Sequence, residues 1–299
     1  MEENTVVTFT TIPERIQFIP RVLNSLRNQT IKPSKIYIHV PKISRKGKYY
    51  DIDKIQELVK PFNDINVIIN ILDHDEGPIT KFVPILDLEK NPNTNIIIID
   101  DDCIYNKKII ETLLKYKDLE AVGFSGANYN SKNKKIESAV NLIYGKTIKV
   151  DFLETYLAVL YKRKLFPATT KDFTEWMHKF PEICLFNDDI IIGAWLDLID
   201  QSRYLLPFYS YFGTKCNSGN SPKLSTDNLK GRNEKIFHIM HGDNYVNESL
   251  KDNDKDKNKI SLSILGGNFI IYRNLFYKII VILTLLLIIC LIYLFYNKF

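Results

Sequence analysis

Short apolar runs alternate with amphipathic stretches through the first hundred residues, and their two periods separate cleanly. Val6 to Thr10 reads as a strand, and Arg15 to Gln29 as a helix with Ile16, Ile19, Val22, Leu23 and Leu26 on one face. Lys35 to Val40 repeats the strand pattern, and Ile52 to Phe62 the helical one through Ile52, Ile55, Leu58 and Val59. Ile65 to Leu72 is a third strand, Ile79 to Leu88 a short helix, and Asn95 to Ile99 a fourth strand. Such alternation predicts βαβ units with right-handed crossovers, hence an α/β fold whose mostly parallel sheet is flanked by helices. Ala121 to Ser125 and Val159 to Tyr161 are further expected strands. Asp188 to Ile199 is a helix, apolar nearly all round apart from its acidic start and Asp197, so core must surround it. Asn187 is its expected N-cap. Lys215 to Asn233, rich in Gly, Ser, Asn and Lys, reads as a loop.

The pattern changes near the C-terminus. Asn244 to Asn258 is a charged linker. From Ile279 to Tyr296 the chain is uncharged and apolar over a length that suits a bilayer crossing, with Tyr272, Tyr277, Tyr293 and Tyr296 near its ends. Lys251, Lys255, Lys257, Lys259, Arg273 and Lys278 precede this run and only Lys298 follows it. The expectation is one C-terminal transmembrane helix, a tail anchor, with the N-terminal domain on the cytosolic side. No signal peptide is read at Met1 to Asn4. The expected organisation is a globular α/β domain over 1–243, a linker over 244–274 and an anchor over 275–297.

Composition narrows this picture only slightly. With 299 residues, of which 45% are hydrophobic, the chain can build a full core. A net charge of +5 with dispersed Lys and Arg gives no nucleic-acid footprint. Cys103, Cys184, Cys216 and Cys290 show no CxxC spacing, so neither a zinc site nor a disulfide framework is expected, and a reducing compartment fits.

The candidate chemistry begins where the most apolar internal strand stops on Asp100-Asp101-Asp102. Ligands bind at the carboxyl ends of strands in α/β proteins, and adjacent carboxylates there repel unless a cation compensates them. Alternation places Asp100 and Asp102 on one side, a suitable pair for a hard divalent ion. Asp73 to Lys81 follows the third strand, with Lys81 on the first turn of the next helix, where a lysine can meet a diphosphate. Thr10 to Arg15 follows the first strand. It reads as a nucleobase-lining turn or a plain helix cap. Asp188 and Asp189 open the buried helix, where one carboxylate can act as a general base and the other as a cap. His238 and His241 lie three apart. They are open both to a place in an oxygen-rich metal shell and to ordinary core and surface positions.

The order TTIPER, DHDEGPITK, IIIIDDD, VDFLETY and NDDI resembles nucleotide-sugar glycosyltransferases of the GT-A fold, and within them the inverting, family-2-like enzymes. The resemblance covers roughly residues 5 to 200. It implies that Asp100 and Asp102 hold Mn2+ or Mg2+ on the donor diphosphate, and that Asp101 touches the ribose or the sugar. It further implies that Thr10, Pro13 and Arg15 begin the nucleotide-binding loop, with Asp73 and Lys81 on the nucleotide and phosphate side. Asp188-Asp189 matches the family's Glu-Asp pair, with Asp189 as the catalytic base, although this chain has Asp where Glu is usual. Glu154 is a candidate partner of the transferred sugar, or else a surface salt bridge. The implied partners are a nucleotide-sugar donor, a hydroxyl acceptor (glycan, lipid or protein) and the membrane. Two other readings stay open at this point. One is a metal-dependent nucleotidyl- or phosphoryl-transfer enzyme, although neither GxxxxGK[ST] nor GxSxG occurs; the other is an inactive membrane-anchored scaffold.

Overall fold

The computed structural model describes residues 4–131, 133–141, 146–207, 213–216, 231–242, 259–264 and 267–272. In chain order the strands are β1 (Thr5–Thr10), β2 (Lys35–Pro41), β3 (Val67–Leu72), β4 (Asn95–Ile98), β5 (Cys103–Ile104), β6 (Ala121–Gly123), β7 (Gly126–Asn130) and β8 (Lys135–Asn141). They continue with β9 (Ile148–Val150), β10 (Phe152–Leu153), β11 (Val159–Lys162), β12 (Arg203–Leu205), β13 (Lys215–Cys216), β14 (Lys259–Ile264) and β15 (Gly267–Tyr272). The helices are α1 (Ile19–Arg27), α2 (Ile52–Val59), α3 (Ile85–Leu88), α4 (Ile109–Leu114), α5 (Thr170–Met177), α6 (Asp188–Leu198) and α7 (Arg232–His241).

Eight strands form the main sheet in the order β3-β2-β1-β4-β11-β6-β12-β9. The first four are parallel, as the βαβ pattern predicts. β11 then enters antiparallel to β4, with Val159 opposite Ile98. Each strand splits its apolar residues between the two faces because side chains alternate. Val6, Ile96, Ile98, Val159 and Tyr161 pack under α3, α5 and α6 through Ile85, Leu86, Phe173, Met177, Ile192 and Leu196. Val7, Phe9, Ile36, Ile38, Ile97 and Leu160 pack under α1, α2 and α4 through Val22, Leu23, Leu26, Ile55, Ile110 and Leu113. Each fully buried aliphatic side chain contributes about 1.5–3 kcal/mol of transfer free energy, so the two layers hold the sheet rigidly between them.

The second half builds a smaller sheet, β10-β7-β8-β15-β14. Ala127, Tyr129 and Phe152 of this sheet pack on Ile190 of α6 and on Ile236 and Phe237 of α7. β14 and β15 form an antiparallel hairpin, and β15 lies parallel to β8. Residues 259–272 fall in the stretch read as linker, where the Lys and Asp run before Lys259 hides the period-2 pattern of KISLSI.

Element boundaries moved for local reasons. The helix expected from Arg15 opens as a 3-10 turn, Pro13–Phe18, and becomes α-helical at Ile19. Asn187 does cap α6: its side chain accepts from the Ile190 N–H at 2.9 Å. No helix among the described residues is long and apolar enough to cross a membrane, and the expected anchor, Ile279 to Tyr296, lies outside the described residues.

Candidate active site

A cavity of about 410 Å³ opens at the carboxyl edge of the parallel strands. It is lined by Thr10, Thr11, Ile12 and Arg15 after β1, by Pro78 and Lys81 after β3, and by Asp100, Asp101 and Asp102 after β4. Tyr156 precedes β11 on its wall, Phe186 to Asp189 open α6, Cys216 lies on β13, and Arg232 and Asn233 begin α7. Four of the five segments singled out in the sequence therefore meet in one space.

The acidic turn is held by the chain itself. The Tyr105 hydroxyl accepts from the Asp100 N–H at 2.9 Å and lies 3.1 Å from the Asp100 carbonyl oxygen. Arg15 Nη1 reaches Asp101 Oδ1 at 2.8 Å and Asp102 Oδ2 at 3.2 Å. Thr11 Oγ1 donates to Asp101 Oδ2 at 2.6 Å. Burial pushes the Asp101 carboxyl up to about 6 against the opposing pull of Arg15 and Thr11. Asp102 is also raised, by burial and then by Asp100, with Arg15 opposing. Asp101 thus spends its side chain on Arg15 and Thr11, and the expected contact with ribose or sugar is not what its geometry favours.

Lys81 has an unexpected position. It is buried; its Nζ donates to Asp100 Oδ1 at 2.7 Å and to Thr155 Oγ1 at 2.7 Å, and it forms an ion pair with Asp188 Oδ2 at 2.8 Å. Burial acts to lower its pKa, but Asp100 and Asp188 outweigh burial and raise it. Two of its three ammonium protons are donated within the protein, and its charge is shared between two carboxylates. The turn that aims it inward is specific. Asp75 accepts from Gly77 N–H at 2.8 Å and from the Thr80 hydroxyl at 3.1 Å. Gly77 has φ +77°, and a Cβ there would lie 3.1 Å from the Leu185 carbonyl oxygen. Lys81 thus lines the cavity and bridges the two acidic segments.

Next to this bridge, Asp189 Oδ1 accepts from the Thr155 N–H at 3.1 Å and the Thr155 hydroxyl at 3.0 Å. Its carboxyl is held well above the ordinary range, first by burial and next by the Asp188 charge, with Lys81 opposing. Glu154 is raised by burial and accepts from Ser125 Oγ at 2.5 Å behind the cavity wall, rather than in a surface salt bridge.

The remaining expected residues lie elsewhere. Asp73 is exposed and pairs with Lys42 at 2.6 Å outside the cavity, because the inward position of its loop belongs to Asp75. Pro13 starts the 3-10 turn beside Ile12 and is not in the lining. His238 and His241 sit on α7 away from the acids: Nε2 of His238 meets the Tyr129 hydroxyl at 2.5 Å, and Nδ1 of His241 meets Asp197 Oδ2 at 2.8 Å. Their helix packs on α6 through Phe237, so a metal shell with Asp100 and Asp102 does not form from them. Thr155, Tyr156, Arg232 and Asn233 were not singled out as ligand-facing; they belong to loops or helix starts without a periodic signal.

Cys103 and Cys216 form a disulfide across 113 residues, against the expectation of unpaired cysteines. Local spacing carries no trace of a pair so far apart. β13 lies antiparallel on β5, so that Cys216 faces Cys103 immediately beyond Asp102. Cys184 is free and buried.

No protein-family model matches the chain, and no curated protein matches it. Among solved structures it is similar to the mannosyltransferase PcManGT from Pyrobaculum calidifontis in complex with GDP-Man and Mn2+, with a TM-score of 0.45 at 11% identity over 69% of this chain. The chain spans 55% of that protein's length. It is similar to 4-diphosphocytidyl-2C-methyl-D-erythritol synthase from Anaerococcus prevotii, with a TM-score of 0.44 at 10% identity over 78% of this chain and 96% of that one. HddC from Yersinia pseudotuberculosis gives 0.38 at 11% identity over 55% and 78%.

Proposed function

We propose that the chain is a GT-A-type glycosyltransferase that moves a sugar from a nucleotide-sugar donor to a hydroxyl acceptor with inversion. One observation carries this reading. Asp100 and Asp102 at the end of β4, and Asp188 and Asp189 at the start of α6, line one cavity together with the turn after β1. Transfer needs a place for a charged leaving group and a base on the acceptor side, and this cavity has polar walls suited to both.

The donor set also accommodates a divalent ion. Among the described residues no group of three or more His, Cys, Asp or Glu side chains can hold one alone. Lys81 occupies only Oδ1 of Asp100, and Arg15 only Oδ2 of Asp102, leaving one oxygen on each carboxylate outside these ion pairs. Two carboxylates completed by substrate phosphate oxygens and water are the usual surroundings of Mg2+. Asp100 and Asp102 would hold it. When bound, it supplies charge neutralisation to the departing diphosphate.

The protein groups do the rest. The acceptor oxygen forms its bond to the anomeric carbon as the bond from that carbon to the diphosphate oxygen breaks, and Asp189 takes the acceptor proton. A carboxylate whose pKa is raised is a stronger base than an ordinary one, which favours Asp189 over Asp188, whose Oδ2 is tied to Lys81. Lys81 and Thr155 fix the distance between the two acidic segments.

The test is release of nucleoside diphosphate from a panel of nucleotide sugars by the full-length protein in detergent, with and without Mn2+ or Mg2+. Asp102→Ala should abolish metal-dependent release while leaving the thermal unfolding profile intact. Undiminished release by this variant would refute the assignment of the metal-bearing edge. We further propose that Ile279 to Tyr296 anchors the chain in a membrane with the catalytic domain in the cytosol. Protease added to sealed microsomes should then digest that domain, and protection would place it in the lumen.

A further inference from the structure

The disulfide ties a core residue to the wall of the cavity: Cys103 belongs to the hydrophobic layer beneath α1 and α4, and Cys216 packs on it. Cys103 is 1% exposed, whereas Cys216 is partly exposed and lines the cavity. Residues 213–216 rest on residues 103–106 by a small set of contacts. Among the described residues these include the two-residue ladder of β5 with β13, the Thr214 hydroxyl accepting from the Asn106 N–H at 3.1 Å, Cys216 Sγ lying 3.9 Å from the Tyr156 carbonyl oxygen, and the disulfide. A two-residue ladder does not hold by itself in water. The covalent bond adds a direct link between Cys216 and the segment that follows the three aspartates.

We infer that Cys103–Cys216 is a thiol–disulfide exchange site whose state sets the affinity of the cavity for nucleoside diphosphate. This rests on the proposed function for the identity of the ligand. An entering thiolate meets Cys216 Sγ from the cavity, because Cys103 Sγ is covered. Attack forms a mixed disulfide at Cys216 and expels Cys103 as the thiolate, which takes a proton. The second sulfur of a dithiol reductant then attacks the mixed disulfide and releases Cys216. The protein gains two electrons and two protons, and the reductant leaves as its own disulfide. Exposed, exchangeable bonds of this kind suit the redox-sensing use of cysteine in a cytosolic protein. With the bond open, the wall beside Asp102 is freed and the acids lose a fixed neighbour. With nucleotide in the cavity, the path to Cys216 is blocked.

The two effects must be reciprocal. If reduction weakens nucleotide binding about tenfold, saturating nucleotide must shift the reduction equilibrium by the same factor. The full-length protein in detergent is titrated with GDP and with UDP, each with Mg2+, before and after dithiothreitol treatment. Free thiols are trapped with a maleimide, and Cys103 and Cys216 are quantified by peptide mass spectrometry. About tenfold weaker binding after reduction is expected, with labelling of both cysteines slowed by the bound nucleotide. Cys216→Ser should bind like the reduced protein without added thiol, and Cys184→Ser like the oxidised wild type. A nucleotide that binds both forms equally overturns the inference and leaves the proposed function standing. Failure of both nucleotides to bind either form overturns both.

Discussion

Replacing Lys81 by Met tests the assembly of the site most directly, because one ammonium joins Asp100, Thr155 and Asp188. The methionine keeps most of the side-chain volume and removes the charge. Breaking a buried ion pair by deleting one partner costs roughly 3–5 kcal/mol, because the remaining charge is left without compensation. The Asp188 side chain is 9% exposed and bears that cost nearly in full, whereas Asp100 is 30% exposed and is partly screened by water. The lower end, about 3 kcal/mol, is the expected loss, which for a domain of this size lowers Tm by roughly 6–12 °C. The assay is thermal unfolding of the full-length protein at pH 7.5 and again at pH 5. In the variant, the buried Asp188 carboxylate keeps the Thr155 hydroxyl at 3.3 Å but loses its countercharge. Protonation at low pH then relieves the penalty, so the gap from wild type should narrow as the pH falls. Lys81→Arg keeps the charge and should recover part of the loss. A gap below about 2 °C that stays the same at both pH values would refute the bridging role.

Under the proposed mechanism, the raised Asp189 carboxyl should give turnover an acid limb above the ordinary carboxylate range, since a base must be ionised to accept a proton. Asp189→Asn should lower kcat roughly 10²–10⁴-fold with nucleotide affinity nearly unchanged, as read by steady-state kinetics and direct titration. An active Asp189→Asn beside an inactive Asp188→Asn would exchange the two roles. For Asp101, burial lifts the carboxyl to about 6 from an ordinary 3.8, so the native state binds the proton more tightly than the unfolded chain. The stability contributed by the protonated acid is present below the unfolded value and lost as pH rises through about 6. Asp101→Asn cannot ionise, and its Tm relative to wild type should therefore rise across that window; a flat difference would rule this out.

The sheet and its ligand edge were legible because both follow from local pattern. The isoleucines of β4 announce a strand buried on two faces, and three aspartates cannot follow them without a role or a countercharge. The identity of the countercharges was not legible. Arg15 and Lys81 lie 86 and 19 residues from the acids they meet, and nothing in their neighbours marks their direction. Asp73 and Asp75 show the same limit on a shorter scale, since they share one loop and composition cannot say which one turns inward. His238 and His241 were ambiguous for a related reason: three apart on a helix fixes a common face but leaves open what that face meets. The disulfide needed the strand pairing of β5 with β13, a contact between segments that local propensity leaves unconnected.

The cavity wall draws on residues from Thr10 to Asn233. No contiguous stretch of chain contains the site, so a peptide or partly folded intermediate cannot present it. A ligand that fills the space must therefore select the completed structure over every partially folded form. Its binding free energy is then added to the cooperative unfolding of the whole domain, about 2.7 kcal/mol at a hundred times Kd. The melting temperature becomes a ligand detector that needs no knowledge of the reaction. A library of nucleotides and sugar phosphates screened by thermal shift reports occupancy of this cavity even where no acceptor has been identified.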